Sequence, residues 1–419
     1  MPLLLVQGCT RRSWLTLFAF GYNAASNAVL FMDFVVVSDL SASSFNVDPS
    51  MIAWTYSLGL LATLPAAFLV AYFLPRCRYV VFGIGVFFDV LGAWLRWLSL
   101  LYRSWALCMV STVCIGVAFA VCCMTYAVIG ERWFPLERQT LATSIGVQSN
   151  YAGWCIGAFV LPSVVHNRAD HMLFLLVQAV CVSFALLLFF FFHDESAARP
   201  SPSQRNTMRK SLSILATRPR YLVKMLAYGI LGAVSYTIPA VQDVLIGDAL
   251  QVGPTFTKWT DTAFIASGVV TGLLLSMPEA RRPRAVILAI YVGAVIALTL
   301  AAVIVHPFAH VMSSVLRRGV LVGAMAIAGA TSLGFLGIAL AEITHDVPEV
   351  DELYSAGVVE WLVQAGGGIL SQVAVNAHGF QVCSALVVAA TCLLVIGAST
   401  QRASAAELEC AHSPDNLLS

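Results

Sequence analysis

Residues 195–218 read ESAARPSPSQRNTMRKSLSILATR and form a polar stretch in the middle of a largely apolar chain. Six apolar stretches precede it and six follow it, and each is long enough to cross a bilayer as a helix, which takes about 20 residues. The polar stretch carries two prolines and several basic residues, among them Arg199, Arg205, Arg209 and Lys210. We therefore predict that it is a cytoplasmic linker between two groups of six membrane spans.

The predicted spans cover most of the remaining chain. They lie near residues 13–40, 50–74, 79–101, 104–130, 140–166, 171–193, 220–246, 258–277, 285–305, 318–343, 354–377 and 380–399. This pattern predicts an all-α membrane protein of the major facilitator fold, with twelve transmembrane helices in two six-helix bundles. The predicted domains are an N-terminal bundle (1–193), the linker (194–219), a C-terminal bundle (220–399) and a cytoplasmic tail (400–419).

The composition argues against a soluble protein. Of the 419 residues, 59% are hydrophobic and 11% are charged, and the mean hydropathy is +0.84, whereas a soluble domain has about 25% charged residues. The net charge of +1 argues against a nucleic-acid partner. The eleven cysteines lie mostly in apolar runs and lack the spacing of zinc ligands. We expect no metal centre and no cofactor, and a monomer whose partners are the lipid bilayer and a small-molecule substrate.

The positions of Lys and Arg in the short loops predict the orientation of the chain in the membrane. Most of these residues lie on one side if both termini are cytoplasmic, and Arg76, Arg132 and the linker are among them. Arg317 and Arg318, before the tenth predicted span, lie on the other side and go against the rule. We predict a multi-pass protein of the plasma membrane or an organellar membrane, with both termini in the cytoplasm.

Asp33 lies within the first apolar stretch, in the sequence SNAVLFMDFVVV (26–37). A carboxylate in a membrane span is costly, so it usually faces the interior of the protein and marks a transport pathway. Asp89 and Asp243 repeat the pattern in the third and seventh spans. Two interpretations of Asp33 stay open: it neutralises a charged substrate or carries a coupling proton, or it pairs structurally with a cation such as Arg96. Arg96 either forms that pair or reaches outward to the membrane interface.

Polar and aromatic residues recur in the first, fifth, seventh and eleventh predicted spans, which we expect to meet at a central cavity. Pro239 is expected to break the seventh span, and broken helices near the midplane point to binding sites. Aromatic faces beside a carboxylate form a cage suited to an organic cation. The residues predicted to line the cavity are Asn27, Phe31, Asp33, Asn150, Tyr151, Tyr236, Asp243 and Gln364. Asn27 has an alternative role as a hydrogen-bonding link between helices.

Two loops carry clustered charges on the predicted cytoplasmic side. One reads LPRCRYVVF (74–82) and the other reads ERWFPLERQTLATS (131–144). Loops at this depth contact water, so we predict gating or docking roles for their charges rather than substrate contact. The predicted gating residues are Arg76, Arg78, Arg132, Glu137 and Arg138.

Several short motifs together resemble a known family of facilitators. They are Arg12, Trp14 and Ser26-Asn27-Ala28; LGAW (91–94) followed by Arg96; Asn150 and Gly157 before Pro162; Tyr228-Gly229 with Tyr236; and Glu342-Ile-Thr. In this order they resemble the feline leukaemia virus subgroup C receptor-related family, over roughly residues 11–395. That family includes choline and ethanolamine transporters, proteins described as haem exporters, and a lysosomal branch linked to pyridoxine.

The resemblance implies an altered choline site. A span-one tryptophan that faces the quaternary ammonium in the choline carriers corresponds to Phe31, a span-five glutamine corresponds to Tyr151, and a span-seven tyrosine is kept as Tyr236. Two positions that are neutral amides in the relatives are Asp33 and Asp89 here.

The function that these patterns predict is alternating-access transport of a small organic solute, with a choline-like cation as the leading class. Asp33 would then neutralise the charge of the substrate or carry a coupling proton. Haem transport and pyridoxine-type organellar transport are the alternatives, and a non-transporting receptor is a third. We do not expect an enzyme, because no segment carries a nucleophile–base pair or metal-ligand spacing.

Overall fold

The computed structural model describes residues 11–190, 207–277, 283–306, 313–374 and 378–411. In these ranges the chain forms sixteen α-helices. Their bounds are α1 Arg11–Met32, α2 Ser38–Phe45, α3 Pro49–Ile52, α4 Trp54–Phe73, α5 Arg78–Leu101, α6 Trp105–Trp133, α7 Leu136–Val164, α8 Arg168–Phe189, α9 Met208–Ala216, α10 Pro219–Leu250, α11 Pro254–Leu275, α12 Pro283–Val305, α13 Ser314–Ser332, α14 Leu336–Asp346, α15 Glu352–Val373 and α16 Gly379–Ala411.

Each of the twelve predicted spans coincides with a long helix or with two consecutive helices. Within the described ranges, nine helical stretches are long and apolar enough to cross a membrane. The other three predicted spans correspond to α7, α11 and α15, which have 29, 22 and 22 residues but are less apolar. The all-helical architecture is confirmed. The count of twelve crossings stays a prediction.

The first predicted span is interrupted. α1 ends at Met32, a short 3-10 turn occupies Val35–Val37, and α2 begins at Ser38. The tenth predicted span is likewise divided between α13 and α14. Irregular backbone at membrane depth is tolerated where it is buried in protein, and Asp33, at the first interruption, is fully buried.

The break predicted at Pro239 is wrong. α10 runs from Pro219 to Leu250 without interruption, with Pro239 inside it. A proline removes one N–H and crowds the carbonyl four residues earlier, but in a packed bundle neighbouring helices can hold the helix together. Here α15 and α16 pack along α10. Local sequence alone therefore overstates the effect of this proline.

The helices form two sets according to their contacts, and we call α1–α8 the first half and α10–α16 the second half. In the first half α1 packs on α7, while α6 packs on α4 and α5. In the second half α10 packs on α15 and α16, and α11 packs on α13. The halves meet where α15 contacts α4 and α6, and where α7 contacts α11 and α14. Residues on these helices are therefore placed to form a site between the halves.

Helix contacts within the second half depend on a glycine. Gly329 in α13 lies against the backbone of α11, and a methyl group at this position would overlap the carbonyl group of Phe264. Small residues of this kind let membrane helices approach closely. The tight contact of α11 with α13 follows from this one missing side chain.

Capping side chains set the start of several helices. Asp48 accepts hydrogen bonds from the backbone N–H and the hydroxyl of Ser50 at 2.9 and 2.6 Å, and these bonds lower the pKa of the Asp48 carboxyl below its ordinary value. Asp351 caps α15 by accepting a 3.0 Å hydrogen bond from the backbone N–H of Leu353. Such caps satisfy backbone donors that a helix leaves without partners in its first turn.

Candidate functional site

A cavity of about 890 Å³, which we call the vestibule, opens between the two halves. Its wall comes from the segment after α1, from α3, from the end of α7, and from α10 and α11. Lining residues include Val35, Asp39, Ser50, Pro162, His166, Ala240 and Thr257. α7 begins four residues after Arg132, is 29 residues long and ends at the vestibule. The vestibule therefore lies at the opposite end of the helices from Arg132.

Six buried rings form a cluster next to the vestibule, which we call the aromatic box. Its members are Phe31, Tyr56, Phe119, Tyr151 and Trp154 from the first half and Tyr236 from the second. The ring centroids of Trp154 and Tyr236 lie 4.6 Å apart, and those of Phe31 and Phe119 lie 5.3 Å apart. Edge-on pairs at such distances are favourable for aromatic rings. Three of the eight residues predicted to line the cavity, Phe31, Tyr151 and Tyr236, are thus brought together.

The aromatic box begins about one helical turn further into the protein than the residues that line the vestibule. Ile52 and Ala240 line the vestibule, and Tyr56 and Tyr236 lie four residues away from them along the chain. Four residues of helix span about 6 Å. The hydroxyl of Tyr56 donates a 2.7 Å hydrogen bond to the backbone carbonyl of Tyr236, which ties the halves together at this depth. A solute that enters the vestibule therefore meets aromatic rings next.

Several polar atoms in the box lack hydrogen-bond partners among the described residues. They are the hydroxyls of Tyr151 and Tyr236 and the indole Nε1 of Trp154. Oδ1 and Nδ2 of Asn150, next to Tyr151 in α7, also lack hydrogen-bond partners there. A buried polar group without a partner costs free energy, and native proteins satisfy nearly all such groups with protein, water or ligand. The site can therefore accept hydrogen bonds from, or donate them to, a polar solute.

A buried carboxyl group lies beside the box. Glu360 in α15 is fully buried, and its Oε2 accepts a 3.2 Å hydrogen bond from Nε2 of Gln364, one turn further on. Its Oε1 has no hydrogen-bond partner among the described residues. The face of α15 that carries Glu360 and Gln364 continues to Gly367, where an added methyl group would lie 2.9 Å from Cβ of Tyr236. The sequence predicts Gln364 for this site and misses Glu360.

Asp33 pairs with Arg96 inside the first half. Its Oδ2 lies 3.5 Å from Nη1 of Arg96, and both side chains are at most 1% exposed. The guanidinium also donates a 3.1 Å hydrogen bond to the hydroxyl of Thr112 and lies 5.0 Å from the ring centroid of Phe34. Of the two interpretations of Asp33, this geometry matches the structural pair. The outward reach of Arg96 to the interface is wrong, because the side chain is fully buried.

Asn27 is occupied within the first half as well. Its Nδ2 donates a 2.8 Å hydrogen bond to Oδ1 of Asp89 and a 3.1 Å hydrogen bond to the carbonyl of Ile115. These bonds link α1 to α5 and α6, which is the alternative role considered for Asn27. Asp243 lies in α10, but its side chain is outside the part of the protein that the structure describes.

Arg132 connects the two halves at the end of the molecule opposite to the vestibule. Its Nη2 lies 3.2 Å from Oδ2 of Asp351, the capping residue of α15. Arg132 belongs to α6 of the first half and Asp351 precedes a helix of the second. An ion pair in this position holds the halves together on the side away from the open cavity.

The other four predicted gating residues lie near Arg132 in the chain or on neighbouring helix ends. Arg76 donates a hydrogen bond to a backbone carbonyl of the last turn of α4. Arg78 lies 6.0 Å from the ring centroid of Trp133 at the end of α6. Glu137 is exposed and Arg138 is half-buried in the first turn of α7. Their gating roles stay predictions.

Four residues of the site are missed by the sequence analysis, namely Tyr56, Phe119, Trp154 and Glu360. Trp154 lies one helical turn from Asn150, so the polar face of α7 contains a signal for it. Glu360 is a carboxylate within a membrane span, the same signal that singles out Asp33. Tyr56 and Phe119 carry no such signal, because an isolated ring in an apolar span is usually packing.

In the described ranges, no group of three or more His, Cys, Asp or Glu side chains is placed to hold a metal ion. His171 is buried and its Nε2 lies 3.0 Å from the carbonyl oxygen of Asp33. Cys122 and Cys123 are buried in α6, in keeping with small apolar side chains. The candidate site consists of rings, amides and a carboxyl group.

Comparison with known proteins identifies relatives of this chain. The sequence model of the Major Facilitator Superfamily matches residues 14–372. An uncharacterized MFS-type transporter of Caenorhabditis elegans is 23% identical over 292 residues, covering 63% of this chain and 49% of that protein. The choline/ethanolamine transporter flvcr2a of Danio rerio is 21% identical over 288 residues, covering 63% and 60%. The human choline/ethanolamine transporter FLVCR2 is 23% identical over 219 residues, covering 50% and 40%.

The chain thus spans about half the length of the curated relatives it matches. Among solved structures, a bacterial homologue of the iron transporter ferroportin, crystallised in an outward-facing state, superposes with a TM-score of 0.64 at 15% identity. The superposition covers 93% of this chain and 100% of that one. At this identity the likeness shows the fold alone, and it confirms the predicted fold class.

Proposed function

Because the chain belongs to the Major Facilitator Superfamily, we propose that it is a multi-pass membrane transporter that carries a small organic cation of the choline type by alternating access. The observation that supports this substrate class is the aromatic box at the interface of the two halves. Its six rings are buried and approach one another at 4.6 to 6.3 Å. A cluster of aromatic faces is the usual recognition site for a quaternary ammonium.

The proposed transport cycle follows from the two ends of the molecule. The vestibule admits the solute on one side, while the Arg132–Asp351 ion pair holds the halves together on the other. Binding at the aromatic box would favour closure of the vestibule, whose wall comes from both halves. Rocking of the two bundles, residues 1–193 and 220–399, would then break the ion pair and open the opposite side. Both termini and the linker are proposed to lie in the cytoplasm.

The relatives support a cationic substrate. Both vertebrate relatives described above are named as choline/ethanolamine transporters. Choline carries three methyl groups on its nitrogen, and aromatic faces bind such methyls through cation–π attraction and desolvation. The unpartnered hydroxyls of Tyr151 and Tyr236 would hydrogen-bond the hydroxyl of the solute. We propose Phe31, Asn150, Tyr151, Tyr236 and Gln364 as substrate-binding residues, joined by Tyr56, Phe119 and Trp154.

The test is uptake of radiolabelled choline into proteoliposomes that contain the purified protein. Saturable uptake, with competition by ethanolamine, is the expected result. The Phe31→Leu variant removes one ring, and one cation–π contact is worth about 0.5–2 kcal/mol, so the apparent affinity should fall about three- to thirtyfold. Phe18→Leu is the matched control, because Phe18 lies in the same helix and is 60% exposed.

Two outcomes would contradict the proposed function. If neither choline nor ethanolamine enters the proteoliposomes, the substrate class is wrong, and haem and pyridoxine become the next solutes to assay. If Phe31→Leu and Phe18→Leu transport choline equally well, the aromatic box is not the binding site.

A further inference from the structure

We propose that the Glu360 carboxylate in α15 is the counter-charge that holds the cation in the aromatic box. This inference rests on the proposed function and assigns the electrostatic role within it to a residue other than Asp33. Glu360 is a specificity-determining residue on this view, since it distinguishes a cationic solute from a neutral one of the same shape.

Three of the buried carboxyl groups, Asp33, Asp89 and Glu360, differ in what surrounds them. Asp33 pairs with Arg96, so its charge is already compensated. Asp89 is bound by Asn27 and lies among α1, α5 and α6 of the first half. Glu360 shares one face of α15 with Gln364 and with Gly367, which packs against Tyr236 of the box. Among the three, Glu360 is therefore placed to meet a ligand in the box.

The hydrogen bonding of Glu360 is incomplete in a way that suits a cation. One oxygen accepts a bond from Gln364, and no ion pair compensates the carboxyl within the described ranges. The other oxygen, Oε1, is buried without any partner there. A buried carboxylate without a counter-charge is strongly unfavourable, so the group takes up a proton unless a cation supplies the missing charge. A cationic solute would supply both the missing charge and the missing contact.

The position of Glu360 also links charge recognition to transport. α15 packs against α10 of its own half and against α4 and α6 of the first half. Five of the six rings of the box belong to the first half. A cation held between those rings and Glu360 would attract the two halves to each other. Binding would thereby favour closure of the vestibule, as alternating access requires.

The experiment measures equilibrium binding of radiolabelled choline to purified protein in lipid nanodiscs, together with competition by dimethylbutanol, the neutral carbon isostere of choline. We expect the wild type to prefer choline to the isostere. Glu360→Gln keeps the shape of the side chain and removes the charge, so choline affinity should fall about 30-fold or more while affinity for the isostere changes less than about threefold.

Two further variants serve as controls. Glu360→Asp retains the charge and should retain the preference for choline over its isostere. Asp89→Asn removes a buried carboxylate outside the box and should leave choline affinity unchanged. Unaltered choline affinity in Glu360→Gln would overturn the inference while the proposed function stands. A wild type that binds neither choline nor ethanolamine would overturn both. If Glu360→Gln does not fold, the wild-type protein alone provides the test. Equal wild-type affinity for choline and dimethylbutanol would overturn the inference, because a counter-charge must favour the cation.

Discussion

Nη2 of Arg132 lies 3.2 Å from Oδ2 of Asp351, and this contact joins the end of α6 in the first half to the start of α15 in the second. The vestibule opens at the other end of the same helices. Alternating access requires that a contact on the closed side breaks when the open side closes. On the proposed mechanism, we therefore expect the pair to contribute to the relative stability of the two states.

Loss of this ion pair is predicted to shift the protein away from the vestibule-open state. Arg132→Gln removes the cation, and Asp351→Asn removes the anion but keeps a side chain that can cap α15. A partly exposed ion pair is worth about 1 kcal/mol, so each variant should lower the ratio of open to closed vestibules about fivefold. The ratio is read from labelling of Thr255→Cys by a membrane-impermeant maleimide.

The double variant provides the control for this prediction. If Arg132 and Asp351 act through each other, the double variant should label no more slowly than either single variant. Additive effects of the two changes would show that they act independently and would contradict a shared gating role.

Loss of the Asp33 carboxylate is predicted to destabilise the fold rather than to weaken a substrate contact directly. Asp33→Asn leaves the Arg96 charge buried without its partner, which costs about 3–5 kcal/mol. The melting temperature in detergent should fall sharply, and adding Arg96→Gln should recover part of the loss. Asp39→Asn, at an exposed carboxylate of the vestibule wall, is the control. A normal melting temperature combined with lost choline binding would instead make Asp33 a substrate residue.

The affinity for choline is predicted to fall as the cation–π attraction of the side chain at position 154 becomes weaker. Trp154 lies 4.6 Å from Tyr236 between ring centroids, and indole is the best cation–π partner. Affinity should decrease from the wild type to Trp154→Phe and again to Trp154→Leu, with a total loss of about thirtyfold or less. Trp259→Leu is the control, because Trp259 is 53% exposed. Equal affinity in the two Trp154 variants would mean that apolar volume, not the ring face, binds the cation.

A methyl group at Gly329 is predicted to destabilise the second half. It would overlap the backbone carbonyl of Phe264, so α11 and α13 must separate, and overpacking of this kind costs about 1–3 kcal/mol. Gly323→Ala in the same helix is the matched control, since no atom lies within 4 Å of a methyl group there. The control should melt at or above the wild-type temperature. Similar melting of both variants would show that the helices yield easily at Gly329.

The membrane helices could be predicted from sequence because a bilayer imposes a minimum length of apolar residues on every crossing. Irregularities within the helices could not. The interruption after Met32 involves no proline or glycine, whereas Pro239 lies in a continuous helix. In each case the packing of neighbouring helices decides whether backbone groups find partners, and that packing is not a local property of the chain.

Three of the six rings of the site could be predicted from the sequence, whereas the carboxyl group of the site could not. Phe31 and Tyr151 come together because α1 packs on α7, and the Tyr151 ring meets Tyr236 of the second half at 6.0 Å between centroids. The role of Asp33 depends on Arg96, which lies on α5 and reaches it only through tertiary packing. Glu360 gives the same signal in sequence as Asp33, but only the fold shows that one carboxyl group has a cation beside it and the other does not.

The low apolarity of α7, α11 and α15 has a consequence for biogenesis. Each of these helices has a packing neighbour in both halves: α7 contacts α1 and α11, α11 contacts α13 and α7, and α15 contacts α10 and α4. Neither half alone can shield the polar faces of its own helices from lipid. We therefore expect insertion into the bilayer to be complete only after both halves have been synthesised, and we expect a fragment ending at the linker to present α7 to lipid.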